Sequence, residues 1–267
     1  MREFAAGLPH ALFSLLYPDD CRICAAPLIR FTRAPVCDQC IQAVEPLAAT
    51  GQCTRCGLPF ANEAPLHGAN LCGLCRRGAT DFDWARGYGA YEGVLRRLIQ
   101  LLKYDGMEPL ARPLGARLAQ VLSQAEPVDL IIPVPLDRRR ERSRGFNQSE
   151  LIARELSRIT GVPIDRRTLR RERPTETQTG LTHSQRRLNV QGAFRVRHPE
   201  RVAGKRVALV DDVITTGATV DACARTLKRA GAARVIVLAL ARARRRLLDV
   251  PAPAPAAEIS REAACGA

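Results

Sequence analysis

The stretch RVALVDDVITTGATV, from Arg206 to Val220, decides the fold of this chain. Its apolar run, Val207 to Val210, ends in two acids, Asp211 and Asp212, and this is typical of a buried strand in a parallel sheet. Ligands of such sheets bind just beyond the carboxyl ends of the strands. The stretch therefore predicts an α/β fold built on a parallel, Rossmann-like sheet, with a binding site at this end of the strand.

A short hydroxylic loop follows the strand and has the composition of an anion-binding turn. Its residues are Thr215, Thr216, Gly217, Ala218 and Thr219. Gly217 lets the backbone approach a ligand closely, and the helix predicted over 219–230 directs free N–H groups at an anion. Because Asp211 and Asp212 can accept hydrogen bonds from a vicinal diol, the motif predicts a ribose 5-phosphate site. The alternative is an ordinary strand–loop–helix turn, since paired acids often end a strand.

Eight of the ten cysteines form four CxxC units in the N-terminal third of the chain. They are Cys21 and Cys24, Cys37 and Cys40, Cys53 and Cys56, and Cys72 and Cys75. Two such units complete a tetrahedral four-thiolate site, so the spacing predicts two structural Zn²⁺ ions with no open coordination position. Sequential pairing of the units is favoured, and a cross-braced pairing stays open. Disulfides and iron–sulfur binding are the alternatives, and His67 is predicted to be a loop residue.

The composition indicates anionic partners. The formal net charge is +14 and only 4% of the residues are aromatic. Phosphates, nucleotides or nucleic acid would suit this charge, although arginine on solvated faces would also produce it. No apolar run approaches the about 18–20 residues that span a bilayer. Without a cleavage site after the apolar piece Leu8 to Tyr17, the sequence predicts a cytoplasmic protein with no transmembrane segment.

Apolar periodicity predicts the elements around the central stretch. Strands are expected over 81–91, 128–135 and 235–241, and helices over 92–103 and 109–122. A further helix should begin at Asn147, which forms a variant capping box with Glu150. The polar segment from Ile164 to Asn189 is long for a connection and is predicted to be a mobile hood over the ligand. His183, within it, is either a general base or a solvated side chain.

Five arginines follow the strand predicted over 128–135, in the segment DRRRERSRG. They are Arg138, Arg139, Arg140, Arg142 and Arg144. We expect a loop at the same sheet edge as the threonine loop, where guanidinium groups could bind phosphate oxygens bidentately. A solvated basic loop is the alternative. Lys103, in LLKYDG, stands at the predicted end of a helix, where the helix dipole alone would favour a lysine.

Taken in order, these motifs resemble the ComF family of competence-associated proteins. The double cysteine module is followed by LLKYDG, IIPVPL, RRRERSRGFNQSELIA, TQTGLTHSQRRLNV and VALVDDVITTGAT. The resemblance covers about residues 10–245, and RGFNQ is its most family-specific part. It implies a double zinc ribbon over 18–80 and a type I phosphoribosyltransferase domain with a hood over 81–245. A helical lead-in is expected over 1–17, and the Ala/Pro composition of 246–267 predicts a disordered tail.

The resemblance also implies a chemistry. Type I phosphoribosyltransferases displace pyrophosphate from the anomeric carbon of phosphoribosyl pyrophosphate (PRPP), with Mg²⁺ holding the diphosphate. Asp211 and Asp212 would bind the ribose hydroxyls at the catalytic centre, and residues 215–219 would bind the 5-phosphate. Lys103, Arg138, Arg139 and Arg144 would be the candidates for the pyrophosphate.

The family likeness further implies a part in natural competence, helping imported single-stranded DNA to cross the inner membrane. Enzymes acting on 6-oxopurines place an aspartate base where this chain has Thr215, so ordinary purine salvage is disfavoured and the acceptor stays open. Two other hypotheses of function remain. One is a catalytically vestigial, PRPP-sensing protein that binds single-stranded DNA, although scarce aromatic residues disfavour a stacking platform. The other is a PRPP-sensing transcriptional regulator, for which the sequence offers no helix-turn-helix signal.

Overall fold

A computed structural model describes residues 20–28, 34–48, 50–60, 70–173 and 183–243. The predicted lead-in over 1–17, the predicted tail over 246–267, His67 and residues 174–182 of the predicted hood lie outside these ranges, as does the side chain of His183. Within them, every helix is too short or too polar to span a bilayer.

The core is a sheet of four parallel strands, as the sequence predicts. They are β1 (Trp84–Ala90), β2 (Leu130–Pro133), β5 (Arg206–Ile214) and β6 (Arg234–Arg242), in the spatial order β1-β6-β5-β2. A small antiparallel pair, β3 (Leu169–Arg171) and β4 (Phe194–Val196), lies outside this sheet. The central strands β5 and β6 are almost wholly buried because other elements cover both of their faces.

Eight α-helices lie within the described ranges. They are α1 (Asp38–Gln42), α2 (Gly73–Arg76), α3 (Gly93–Tyr104), α4 (Ala111–Leu122), α5 (Arg138–Arg144), α6 (Gln148–Thr160), α7 (His183–Val190) and α8 (Ala218–Arg229), with 3-10 turns at Glu108–Leu110 and Pro199–Arg201. Side chains of a strand point alternately to its two faces. Ala208 and Val210 accordingly pack with the apolar sides of α3, α4 and α6. Val207 and Leu209 pack with α8 and with the second cysteine module, which holds the CxxC units at 53–56 and 72–75; the first module holds those at 21–24 and 37–40.

The two cysteine modules cover the exposed edge of β1. The first module donates the Leu47 N–H to the Tyr88 carbonyl at 2.6 Å, and the second accepts the Ala85 N–H on the Arg55 carbonyl at 2.8 Å. An uncovered edge strand would leave such groups unpaired. The modules are therefore built onto the sheet and are not appended through a linker.

Three expectations about the elements were wrong. β5 does not end at the acids: it continues through Asp211 and Asp212 to Ile214, because its pairing with β6 continues to Arg242. The five arginines lie on a helix, α5, because Asp137 caps its first turn and Gly145 ends it at φ 82°. The segment Ile164 to Asn189 is not one long loop, because β3 and most of α7 lie within it.

Candidate functional site

The eight predicted ligand cysteines form two separate clusters. Cys21, Cys24, Cys37 and Cys40 make the first centre, and Cys53, Cys56, Cys72 and Cys75 make the second, with the sulfurs of each centre within 4.8 Å of one another. This is the sequential pairing. A tetrahedral site with Zn–S bonds of about 2.3 Å places its sulfurs about 3.8 Å apart. The observed separations are 3.8 Å for Cys21–Cys40, 3.7 Å for Cys24–Cys37 and 3.6 Å for Cys56–Cys72.

Two further observations fit a metal in each centre. The sulfur–sulfur distances are far longer than the about 2.05 Å of a disulfide bond, so the disulfide alternative does not apply. Backbone N–H groups also point at them, from Cys37 to the Cys21 sulfur and from Cys72 to the Cys53 sulfur, both at 3.3 Å. Such donors stabilise negative sulfur. Each centre therefore suits a structural Zn²⁺ whose ligands are all thiolates.

The two aspartates lie at the carboxyl end of β5 and are both buried, with 9% of Asp211 and 5% of Asp212 exposed. Asp212 forms an ion pair with Lys103, whose helix α3 ends one residue later. Asp211 accepts hydrogen bonds from the Ser149 hydroxyl at 3.1 Å and from the Asp212 N–H at 2.9 Å. Three elements, α3, β5 and α6, thus converge on one acidic pair.

The two carboxyl groups differ in acidity because only one has a cation beside it. Burial and the neighbouring Asp212 raise the pKa of Asp211 to about 8. Burial also opposes ionisation of Asp212, but the charge and hydrogen bond of Lys103 outweigh it and lower the pKa of Asp212. For Lys103, burial is likewise outweighed by Asp212, and its pKa is raised. In the ligand-free site, Asp211 is therefore the weaker acid of the two, and Asp212 forms an ion pair with Lys103 beside it.

The threonine loop joins this acidic pair to the N-terminus of α8. Gly217 adopts φ 84°, a left-handed conformation that glycine accepts without strain, and α8 begins at Ala218. The Thr216 hydroxyl accepts the Ala218 N–H at 3.4 Å. The loop therefore places the start of a twelve-residue helix beside the end of β5, an arrangement that favours an anion.

The predicted pyrophosphate residues are only partly brought together. Lys103 forms an ion pair with Asp212, so in this structure its ammonium group faces an acid of the site. Arg144 donates to the Gln148 side chain at 2.8 Å and covers the exposed ring of Tyr104 at 5.0 Å, so it lies at the mouth of the site. Arg138 and Arg139 are exposed on α5, and no contact within the described ranges joins their side chains to the acids.

Three residues of the site region escaped the sequence reasoning. Ser149 lies in the family-specific run around RGFNQ, which could have drawn attention to it. Arg171, on β3, has a pKa lowered by burial, while the charge of Asp137 opposes that change. Arg242 lies just beyond the strand predicted over 235–241, yet it is the last residue of β6 and only 4% exposed. An arginine that ends an apolar run was the signal available.

A cavity of about 50 Å³ separates the threonine loop from the second cysteine module. Its walls include Leu58, Leu74 and Phe82. Residues 215–218 of the loop, Asp221 and Arg242 also line it.

Two family models match this sequence. The model described as "Phosphoribosyl transferase domain" matches residues 111–254, and the model described as "Double zinc ribbon domain" matches residues 12–77. The parallel sheet and the matched domain define a protein with a type I phosphoribosyltransferase fold. Its N-terminal part is a double zinc ribbon, and the two cysteine modules are hereafter called the first and second ribbons.

Named relatives indicate a particular family among proteins with this fold. "DNA utilization protein YhgH" of Salmonella typhimurium is 35% identical over 229 residues, covering 84% of this chain and 96% of that protein. "Competence protein F" of Haemophilus influenzae is 33% identical over 206 residues, covering 72% of this chain and 90% of that protein. A solved allosteric regulatory enzyme of purine biosynthesis is 26% identical, with a TM-score of 0.36, covering 50% of this chain and 26% of that one. The chain belongs to the ComF family of competence protein F-like proteins.

Proposed function

We propose that this protein binds PRPP together with Mg²⁺ at the carboxyl end of β5, and that it transfers the phosphoribosyl group to an acceptor as part of DNA uptake. One observation carries the proposal: two buried acids of unequal acidity lie on the same strand end, and two residues separate them from a hydroxylic loop at a helix N-terminus. This arrangement matches the two ends of a ribose 5-phosphate.

In the proposed complex, Asp211 and Asp212 accept hydrogen bonds from the ribose diol, and the backbone and hydroxyls of residues 215–219 bind the 5-phosphate. Lys103 neutralises Asp212 in the ligand-free protein. A contact between Lys103 and the pyrophosphate would therefore require the lysine to exchange partners. Arg144, at the mouth of the site, and the exposed Arg138 and Arg139 are the other cations for the leaving group.

Mg²⁺ would enter with the diphosphate, whose oxygens suit a hard cation, and would neutralise the charge that leaves with pyrophosphate. The residues present fit this role, because acceptor oxygens of Asp211 and Asp212 lie at the site. Catalysis of this kind depends mainly on positioning and on charge neutralisation. The other buried carboxylates nearby are engaged, since Asp137 accepts the Arg139 N–H and Asp221 pairs with Arg225. No general base is assigned, and the proposal names no acceptor.

The part in DNA uptake is supported by the relatives, whose names refer to competence and to DNA utilisation. A second candidate function has its own support. Five arginines lie within seven residues on α5, none of them buried, in a chain of net charge +14. A protein that senses PRPP and binds single-stranded DNA without transferring phosphoribose would also need this surface.

The deciding experiment is calorimetric titration of the full chain with PRPP and Mg²⁺. We expect wild-type binding that requires Mg²⁺ and is lost in the double variant Asp211→Ala, Asp212→Ala. Asp129→Asn is the control: Asp129 pairs with Arg206 at the opposite end of β5, at 2.8 Å, and its loss should leave binding unchanged. Intact binding in the double variant would refute the site. Pyrophosphate release tested with nucleobases and with single-stranded DNA then separates enzyme from sensor.

A further inference from the structure

Arg242 connects the second ribbon to the threonine loop. Its guanidinium donates to the Ile214 carbonyl at 2.9 Å and to the Thr215 carbonyl. The other terminal nitrogen approaches the sulfur of Cys56, a ligand of the second centre, at 3.9 Å. One side chain, 4% exposed, therefore contacts both the beginning of the predicted phosphate loop and the predicted zinc site.

The charge of Arg242 needs a partner, because a buried and uncompensated guanidinium is costly. Within the described ranges no carboxylate pairs with Arg242, and its guanidinium contacts two carbonyls and one sulfur. A cysteine sulfur bound to zinc is a thiolate, and a four-thiolate zinc centre has a formal charge of −2. With zinc bound, the second centre would supply the anion that makes the buried position of Arg242 favourable.

The contacts of Arg242 also set the direction of the loop amides. In a trans peptide, the carbonyl of one residue and the N–H of the next point in opposite directions. The Ile214 carbonyl is held by Arg242 and by the Ala243 N–H at 3.0 Å, and the Thr215 carbonyl is held by Arg242. The N–H groups of Thr215 and Thr216 are therefore directed away from the second ribbon, which leaves the loop shaped for an anion on its other side.

We propose that Arg242 is a positioning residue for the phosphate loop, and that zinc in the second centre, through Arg242, controls how tightly the loop binds the 5-phosphate of PRPP. The inference rests on the proposed function for its ligand. In the part of the chain that the structure describes, the first centre has no such link, because its cysteines pack near Val36, Val44 and Tyr88 on the opposite face of the sheet. Coupling between two sites is reciprocal, so PRPP should in turn retain zinc in the second centre.

Arg86 provides a matched control. It lies beside the second centre and interacts electrostatically with Cys53 and Cys56. Like Arg242, it is at least partly buried. Its guanidinium, however, donates to the carbonyls of Ala85 and Thr54, both at 2.8 Å. Neither of these carbonyls belongs to the threonine loop. Arg86→Met therefore removes a cation from the same centre without removing the link.

The test compares wild-type full-length protein with Arg242→Met, Arg242→Lys and Arg86→Met. We expect Arg242→Met to weaken PRPP–Mg²⁺ binding by about tenfold, the middle of the usual range for coupled sites. Arg242→Lys should recover part of the loss, and Arg86→Met should bind as the wild type does. Cysteine alkylation under a zinc chelator, read by mass spectrometry, should show PRPP slowing zinc loss from the second centre but not from the first, and only where residue 242 is cationic.

Hydrogen exchange of the amides at 215–219, without ligand, separates this inference from the proposed function. If wild-type protein does not bind PRPP, the proposed function fails, but faster exchange in Arg242→Met than in Arg86→Met would still support the link. Unchanged loop exchange and an unchanged effect of PRPP on zinc loss in Arg242→Met would overturn it. Should Arg242→Met fail to fold, equal alkylation of both centres in wild-type protein with and without PRPP would overturn it as well.

Discussion

At the residue scale, Asp211 holds a proton that an exposed aspartate would have lost. Its pKa is raised to about 8 by burial and by Asp212, whereas in the unfolded chain it is close to 3.9. Between these values the folded state binds one more proton than the unfolded state. By linkage, a rise in pH through this window therefore lowers the free energy of unfolding, by up to about 1.4 kcal/mol per pH unit.

We predict that this slope disappears in Asp211→Asn, whose side chain keeps an acceptor for Ser149 but has no charge. Urea unfolding of the ligand-free wild type and variant at pH 5, 6.5 and 8 measures it, and the difference between the two proteins cancels titration of the histidines they share. The variant should gain stability relative to the wild type as the pH rises. Parallel curves would show that Asp211 ionises in the folded state as it does when unfolded.

At the element scale, the close approach of β1 to β6 depends on Gly87. A Cβ atom built at Gly87 would lie 2.7 Å from the Arg242 nitrogen and 2.9 Å from the Arg242 Cβ, inside van der Waals contact. Gly87→Ala must therefore separate two paired strands, and we expect it to lower the free energy of unfolding by about 1–3 kcal/mol.

Urea unfolding at constant zinc concentration measures this loss. Gly73→Ala is the matched control, because a Cβ there meets only the Arg77 guanidinium, at 3.5 Å, an ordinary contact. The control should be neutral or slightly stabilising, since alanine favours a helix. Equal stability of Gly87→Ala and wild type would mean that β1 and β6 can move apart at this position without a measurable loss of stability.

The elements also show what local sequence could and could not specify. Apolar runs predicted all four parallel strands, and CxxC spacing predicted both cysteine centres, because each signal is contained within a few residues. The end of β5 was missed since pairing with β6, more than twenty residues later, carries the strand past two acids. The helix α5 was missed although Asp137 and Gly145 are ordinary caps, because five arginines were read for their charge.

The candidate site divides in the same way. The acids and the threonine loop are contiguous in sequence and could be predicted together, whereas their partners come from distant elements. Lys103 was predicted as a ligand for pyrophosphate, but its pairing with Asp212 depends on how α3 packs against the sheet. Arg242 and Ser149 acquire their roles only when β6 and α6 meet β5. No periodicity or motif within one segment records such contacts.

At the scale of the whole molecule, the charge of +14 is the feature most relevant to nucleic acid. If single-stranded DNA binds through its phosphates, each contact releases counterions, and the logarithm of affinity falls with the logarithm of salt concentration by about 0.7 per phosphate. If about six phosphates are contacted, raising the salt concentration from 50 to 200 mM would weaken binding by more than 100-fold. With 4% aromatic residues, stacking should add little base preference.

The helix α5 is where we expect this salt dependence to originate, and charge reversal tests it. Arg138 and Arg139 are exposed there, so Arg138→Glu with Arg139→Glu should reduce the magnitude of the slope by about 1.4, two contacts' worth. Lys205→Glu with Arg229→Glu is a control of equal charge change. Lys205 precedes β5 and Arg229 ends α8, so both lie near the amino ends of the strands, opposite to the candidate site. Fluorescence anisotropy with oligo(dT) measures all three proteins. Equal slopes in both double variants would assign the binding to overall charge rather than to α5, and binding insensitive to salt would remove the case for a DNA-binding surface.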